Sequence, residues 1–298
     1  MRKAKKFILN AAVLTVTALI LRMVHVSFTI YISKKIGAEG IGIFQLISSV
    51  YMFAITLAIS GIGFTTTRLV AEELACNSHS GIKTAVKKCI YYSVFFSILS
   101  ATLLFINAQA ISEHWLHGKV SANPIYALAF GIPFLAISCV LSGYFTAVRR
   151  VIKSASSQIL ETFIKITATI YILNLFSPNG LESACLALVL GGVVSEILSF
   201  LYLYTLYLFD KNRYKNRTLI DKKITKRLLG ISIPVAVSSY IRSALSTYKQ
   251  IMIPTGLEKS GVSCDVAIAQ YGMIGGMVMP ILMFPSSILS AFSILLIP

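Results

Sequence analysis

Six charged side chains lie inside apolar segments of this sequence, where a charge is costly and therefore informative. They are the cations Arg22, Lys165, Arg242 and Lys249 and the acids Glu161 and Glu196. A charge at mid-membrane costs at least about 2.5 kcal/mol, so it must face protein or water. The set is net positive, which suits an anionic ligand. Arginine in particular binds phosphate oxygens in a bidentate geometry.

Two of these cations lie in one short stretch, YIRSALSTYKQIMIP (240–254). Arg242 and Lys249 are seven residues apart, which places them two turns apart on the same helix face as Ser246. We expect them to line a cavity together with Arg22 and to meet a phosphate-bearing substrate. Lys249 has an alternative, because it lies near the outer end of its helix and can snorkel to the membrane interface.

The first apolar segment carries a polar stripe. Arg22 shares a helix face with Thr15 and Thr29, and His25 follows one turn on. Arg22 is either one half of a buried ion pair or a cavity cation that meets an anionic ligand. His25 is either a hydrogen-bonded packing residue or a participant in binding or proton transfer.

The two acids have different expected roles. Glu161 and Lys165 stand at i and i+4 in the order that favours a helix, so a local ion pair is the default interpretation. Glu196 is the acid placed most deeply in its segment. It either pairs with Arg22 or Arg242, or binds a coupling cation such as H⁺ or Na⁺.

The elements that must position these side chains are transmembrane helices. The chain has 298 residues, 13% of them charged, and a mean hydropathy of +0.79. Soluble domains carry roughly 25% charged residues, whereas apolar segments of about 20 residues recur along this whole chain. The sequence therefore predicts an all-α polytopic membrane protein. The expected helices lie near 7–31, 40–66, 88–110, 124–148, 155–176, 183–209, 229–253 and 269–296.

The loop charges predict the topology. Basic residues concentrate at the N-terminus and in 68–88, 149–153 and 210–227, and the opposite side holds few. The positive-inside rule places the N-terminus and these segments in the cytoplasm, facing the anionic lipids of the cell membrane. The net charge of +16 does not indicate nucleic-acid binding, because no soluble basic domain carries it.

Several kinds of site have no sequence signature here. The five cysteines show no metal-ligand or disulfide spacing, so we expect free thiols, no metal and no cofactor. The stretch GIGFTTTR lacks the Gly-Lys-Ser/Thr ending of a nucleotide-binding P-loop. The outer loops are short and carry no catalytic spacing, so we expect that the protein is not an enzyme.

The chain divides at its longest basic segment. We expect a six-helix lobe over 1–209, a cytoplasmic linker over 210–228 and the start of a second lobe over 229–298. Gly275, Gly276, Pro280 and Pro285 predict a kinked or broken last helix. The sequence ends at Pro298 directly after an apolar run, from which we expect a fragment.

Three segments resemble the polysaccharide-exporter, or lipid-linked oligosaccharide flippase, branch of the multidrug/oligosaccharidyl-lipid/polysaccharide (MOP) superfamily, nearest to its stage V sporulation protein B (SpoVB)-like group. They are KKIGAEGIGIFQLISSVYMFAITLAISGIGFTTTRLVAEE (34–73), LSGYFTAVRR (141–150) and SQILETFIKI (157–166). In the third, Gln158, Glu161 and Lys165 match the group's Gln-x-x-Glu-x-x-x-basic pattern.

The resemblance implies a MATE/MurJ-like helical bundle with two six-helix lobes and alternating access, of which this chain would hold the first lobe and two helices of the second. Its partners would be membrane lipids and an undecaprenyl-pyrophosphate-linked saccharide, a peptidoglycan or polysaccharide precursor. Lipid II flippases line their cavity with arginines of helices 1 and 2. Arg22 matches the first position, and Arg68 is the candidate for the second. The SpoVB-like group also implies a link to sporulation.

Two other functions remain as alternatives. The first is an ion-coupled exporter of organic cations, as in the MATE branch, although its cavity would be rich in acids. The second is a membrane enzyme acting on lipid-linked sugars.

Overall fold

The computed structural model describes residues 2–76, 79–115, 121–176, 180–211 and 224–282, and these residues are almost entirely helical. The helices are α1 (Arg2–Ile59), α2 (Ile62–Ala75), α3 (His79–Ile106), α4 (Ala108–Trp115), α5 (Asn123–Ala147), α6 (Val151–Phe176), α7 (Leu181–Lys211), α8 (Ile224–Lys259) and α9 (Cys264–Gly272). A π-helical turn (Met273–Val278) and α10 (Met279–Leu282) follow. The all-α prediction is confirmed.

Helix α1 contains two of the predicted helices. It is interrupted at Gly37, whose φ of 73° and ψ of 178° are not helical, and only glycine adopts this region readily. The resulting kink separates a first arm (residues 2–36) from a second arm (residues 38–59). The two sides of the kink contact the end of α6 and the start of α7, since Lys35 donates to Asn174 Oδ1 at 3.4 Å and Gly40 packs on Leu181.

The second predicted helix, 40–66, is broken within its range. Ser60 and Gly61 have left-handed backbones with φ of 47° and 69°, and α2 then continues the path as far as Ala75. In the described residues, five segments are long and apolar enough to cross a membrane: Val16–Ala75, Ser80–Ile106, Asn123–Ala147, Leu181–Asp210 and Ile224–Lys259. They indicate a multi-pass membrane protein.

The core lies around α5, which packs between α3 and α7, while α6 packs along α7. One buried cluster joins the second arm of α1 to α5, α7 and α9. Another joins α2, α3, α5 and the start of α8. Helix contacts in membranes rest on close van der Waals packing and small residues. A Cβ on Gly272 would lie 2.2 Å from the carbonyl oxygen of Ala38, so the backbones of α1 and α9 touch there.

The predicted linker is partly helical. Asp210 and Lys211 end α7, and residues 224–228 begin α8, while 212–223 lie outside the described residues. In the predicted last helix, the π turn covers Gly275 and Gly276. Pro285 and the rest of 283–298 lie outside the described part of the chain.

Candidate functional site

A cavity of about 330 Å³ lies where the second arm of α1 meets α8, α9 and the π turn. Its lining residues are Gln45, Ser48, Ser49, Met52, Lys249, Gln250, Ile253, Tyr271, Ile274, Gly275 and Met279. The α1 residues recur at intervals of three and four, so one face of that helix forms a wall of the cavity. The volume is at the lower end of the range for small-molecule sites.

Lys249 brings the charge to this cavity. It is the one ionised side chain among the described lining residues, and it forms no ion pair with a described residue. Arg242 and Arg22 are exposed and do not line this cavity. Arg242 lies on the same α8 face, about 10 Å along the axis by the helical rise.

Hydrogen bonds fix the α8 wall. Tyr271 donates its hydroxyl to Gln250 Oε1 at 3.1 Å. Three residues earlier on α8, Thr247 donates to the carbonyl oxygen of Ser49 at 3.1 Å. The bonds at Thr247 and Gln250 therefore set the position of this part of α8, including Lys249, relative to α1 and α9.

The acids lie in a separate polar cluster inside the first seven helices. Tyr51 donates its hydroxyl to Glu196 at 2.8 Å. Ser199 donates to Glu161 Oε2 at 3.1 Å, and Ser157 lies 3.0 Å from Ser199 between the hydroxyl oxygens. All five side chains are buried or half-buried. The cluster thus satisfies both carboxylates with hydroxyl groups.

The expected ion pairs of these acids do not form among the described residues. Glu161 makes no salt bridge with Lys165, and Glu196 makes none with Arg22 or Arg242. The functional roles of Arg22, His25, Lys165 and Arg242 stay predictions. Lys165 and the exposed His25 lie close enough to interact electrostatically.

The sequence profile of the polysaccharide biosynthesis proteins matches residues 7–298 of this chain. The chain belongs to the polysaccharide biosynthesis protein family. It is 27% identical over 297 residues to stage V sporulation protein B of Bacillus subtilis (strain 168), covering 98% of this chain and 57% of that protein. It is 20% identical over 319 residues to the lipid II flippase MurJ of the same organism, covering 99% of this chain and 58% of MurJ.

The fold is that of the MOP superfamily. An outward-facing multidrug resistance MATE family transporter of this superfamily superposes with a TM-score of 0.62 at 15% identity, covering 96% of this chain and 68% of the transporter. The expected MATE/MurJ-like helical bundle is confirmed. This chain spans a little over half the length of the two curated relatives.

One family-like segment, LSGYFTAVRR, forms a structural anchor. Tyr144 donates to Asp210 Oδ2 at 2.9 Å. Arg150 forms a salt bridge with Asp210, and Lys153 Nζ lies 3.9 Å from Asp210 Oδ1. The side chain of Asp210 is 1% exposed. The segment therefore ties the α5–α6 turn to the end of α7.

Arg68, the candidate for the cavity arginine of helix 2, lies in another ion-pair group. Its Nε donates to Glu72 Oε1 at 2.9 Å on α2. Arg227 of α8 pairs with the same Glu72 and donates to Glu73 Oε1 at 2.9 Å. This group joins α2 to the first turn of α8, on the basic side of the chain.

The sequence reasoning missed the neutral side chains of both sites. Tyr51 binds Glu196, and Gln45 lines the cavity, yet neither was a candidate. Their signal was weak, because single polar residues in apolar helices are common. Of the two cavity amides, only Gln250 adjoins a residue that was a candidate, Lys249.

Proposed function

We propose that this chain is part of a membrane transporter that flips an undecaprenyl-pyrophosphate-linked saccharide by alternating access through a cationic central cavity. The saccharide would be a peptidoglycan or polysaccharide precursor. The observation that carries the proposal is the cavity between α1, α8 and α9, with Lys249 as its charge. A pyrophosphate gains charge-assisted hydrogen bonds from such a cation.

The hydrogen-bond partners of the charged side chains support an anionic substrate. Glu161 and Glu196 are engaged by Ser199 and Tyr51, away from the cavity lining. Lys249 faces the cavity, and Arg242 lies on the same face of α8. An organic cation would meet the wrong sign here, which disfavours the MATE-type alternative, and the likeness to MATE structures concerns the fold alone.

The polar cluster around Glu196 is the proposed coupling site. A carboxylate that accepts a hydrogen bond from Tyr51 within the membrane can take up H⁺ or bind Na⁺ and lose it on the opposite side. Moving one charge across 100 mV supplies about 2.3 kcal/mol. A Glu196→Gln variant should lose the dependence of transport on the ion gradient, and unchanged dependence would remove Glu196 from this role.

The lobe division and the orientation belong to the same proposal. Residues 1–209 would form the first lobe, 210–228 the cytoplasmic linker and 229–298 the start of the second lobe, with the N-terminus in the cytoplasm. The ion pairs of the basic residues support one cytoplasmic side. Arg150 and Lys153 pair with Asp210 at the end of α7, and Arg227 at the start of α8 pairs with Glu72 of α2, which also binds Arg68. Transport, and not catalysis, would be the activity.

The test is lipid flipping by the protein expressed from the complete reading frame that encodes this chain. The protein is reconstituted in liposomes with a fluorescent undecaprenyl-pyrophosphate saccharide, and flipping is measured by loss of accessibility to an external quencher. The Lys249→Gln, Arg242→Gln double variant should flip the lipid at least about 10–100-fold more slowly, since even one lost hydrogen bond to a charged group costs about 1.5–3 kcal/mol.

Lys259→Gln is the matched control, because Lys259 is an exposed lysine at the far end of the same helix and outside the cavity lining. It should flip the lipid at the wild-type rate. A double variant that flips as fast as wild type would exclude the cationic-cavity mechanism. An accumulation of ethidium by the liposomes without lipid flipping would favour the drug-exporter alternative.

A further inference from the structure

The cavity contains a set of neutral polar groups in addition to its cation. Gln45 and Ser48 lie one turn apart on α1 and both line the cavity. Neither side chain forms a hydrogen bond with a described residue, and Lys249 opposite them forms none either. Gln45 and Ser48 are half-buried, whereas Lys249 is exposed. Half-buried polar groups normally have a hydrogen-bond partner, so Gln45 and Ser48 can supply hydrogen bonds to a ligand in the cavity.

The backbone around the π turn makes room for the Gln45 amide. A Cβ on Gly275 would lie 2.2 Å from Gln45 Oε1, and a Cβ on Gly276 would lie 3.2 Å from Gln45 Nε2. Successive glycines therefore allow the amide to lie directly against the π turn. Single-turn π segments occur often at functional sites. Any larger residue at position 275 would push the Gln45 amide away.

The opposite wall presents a second amide. Gln250 is held by Tyr271 through Oε1, and its Nε2 lies 3.5 Å from Ser246 Oγ. The cavity thus combines two amides, the hydroxyls of Ser48, Ser49 and Tyr271, and one ammonium group. Amides and hydroxyls both donate and accept hydrogen bonds, which matches the hydroxyl and acetamido groups of a sugar. Phosphate oxygens only accept.

We propose that Gln45, held in place by Gly275, recognises the first sugar of the lipid-linked saccharide, while Lys249 binds the adjoining phosphate. This inference rests on the proposed function and assigns a specificity-determining residue within it. The cavity has room for one sugar ring and not for a whole lipid-linked substrate, given its volume of about 330 Å³.

The test compares two lipids that differ only in the sugar. Protein from the complete reading frame is placed in nanodiscs, and Kd is measured for undecaprenyl pyrophosphate and for the same lipid carrying N-acetylglucosamine. Gln45→Leu should raise Kd for the glycosylated lipid about tenfold, the factor that corresponds to 1.4 kcal/mol. It should leave Kd for the bare lipid unchanged.

Gly275→Ala tests the positioning. It should raise Kd for the glycosylated lipid as Gln45→Leu does, and it should add nothing in the Gln45→Leu background, since its effect acts through that amide. Gly230→Ala is the matched control, because a Cβ on this helical glycine of α8 meets no atom within 4 Å. It should change neither Kd.

The outcomes separate the two proposals. If wild-type protein binds both lipids and Gln45→Leu weakens neither, or weakens both equally, the sugar assignment is overturned and the flippase proposal stands. If Gly275→Ala weakens binding further in the Gln45→Leu background, its role as a positioning residue is overturned. If wild-type protein binds neither lipid, both proposals fail.

Discussion

The substitution Tyr144→Phe removes one hydroxyl oxygen and should weaken the anchor that joins the α5–α6 turn to α7. Tyr144 is 1% exposed and donates to the buried carboxylate of Asp210 at 2.9 Å. In Tyr144→Phe the ring stays in place and the carboxylate loses one donor. A hydrogen bond to a charged group contributes about 1.5–3 kcal/mol. For a chain of this size, a loss of about 1 kcal/mol lowers the midpoint of thermal unfolding by about 2 °C, so the midpoint should fall by about 3–6 °C.

Buried thiols supply the assay. Cys89 is fully buried and belongs to the same core cluster as Tyr144, so a thiol-reactive dye reports its exposure as the detergent-solubilised protein is heated. The exposed Cys76 is replaced by serine to lower the background. Tyr171→Phe is the control, because Tyr171 is 67% exposed, and its midpoint should match the parent.

A double-mutant cycle isolates the contact. Asp210→Asn removes the charge shared by Tyr144, Arg150 and Lys153, and it should lower the midpoint more than Tyr144→Phe because two cations lose their counter-ion. Tyr144→Phe should then cost much less in the Asp210→Asn background. An equal cost in both backgrounds would refute the anchor as the source of the effect.

Three further variants test other contacts by the same thermal assay. Gly272→Ala places a Cβ 2.2 Å from a backbone oxygen of α1 and should lower the midpoint by several degrees, whereas Gly256→Ala, in open space, should not. Arg227→Glu should lower the midpoint by about 2 °C, since half-exposed pairs contribute about 1 kcal/mol or less. The loss should be smaller in a Glu72→Gln background, because one of the two carboxylates that Arg227 pairs with is already neutral there, and an equal loss in both backgrounds would exclude the pair. Arg149→Gly should raise the midpoint by about 1–2 °C, because Arg149 holds a φ of 58° that disfavours residues with a Cβ; an unchanged midpoint would indicate no strain.

Apolar length predicts the helices but not their interruptions. Hydropathy locates each long helix because the membrane requires continuous apolar segments. It does not reveal that the second predicted helix breaks at Ser60 and Gly61, since an isolated glycine such as Gly61 is tolerated inside a helix. The kink at Gly37 lies in the gap between the first two predicted helices, but only its backbone angles decide how the two arms of α1 diverge.

The contacts of the charged side chains were harder to predict than the positions of these side chains in the helices. Glu161 and Lys165 have ideal spacing for an ion pair, yet Glu161 accepts from Ser199 of α7, because tertiary neighbours outcompete a weak local pair. Asp210 lies in the stretch predicted as a linker, yet it is buried by Arg150, Lys153 and Tyr144. These contacts depend on the packing of α5, α6 and α7, which no local pattern encodes.

The side-chain partners of the acids and of Lys249 argue for an anionic substrate. Asp210, Glu72, Glu161 and Glu196 all accept from neighbouring side chains. At the cavity, Lys249 has no ion-pair partner among the described residues. The exposed ammonium group of Lys249 is therefore available to an anion, and it would repel a cation. If the cavity served a cationic drug, the acids and not the lysine would face it.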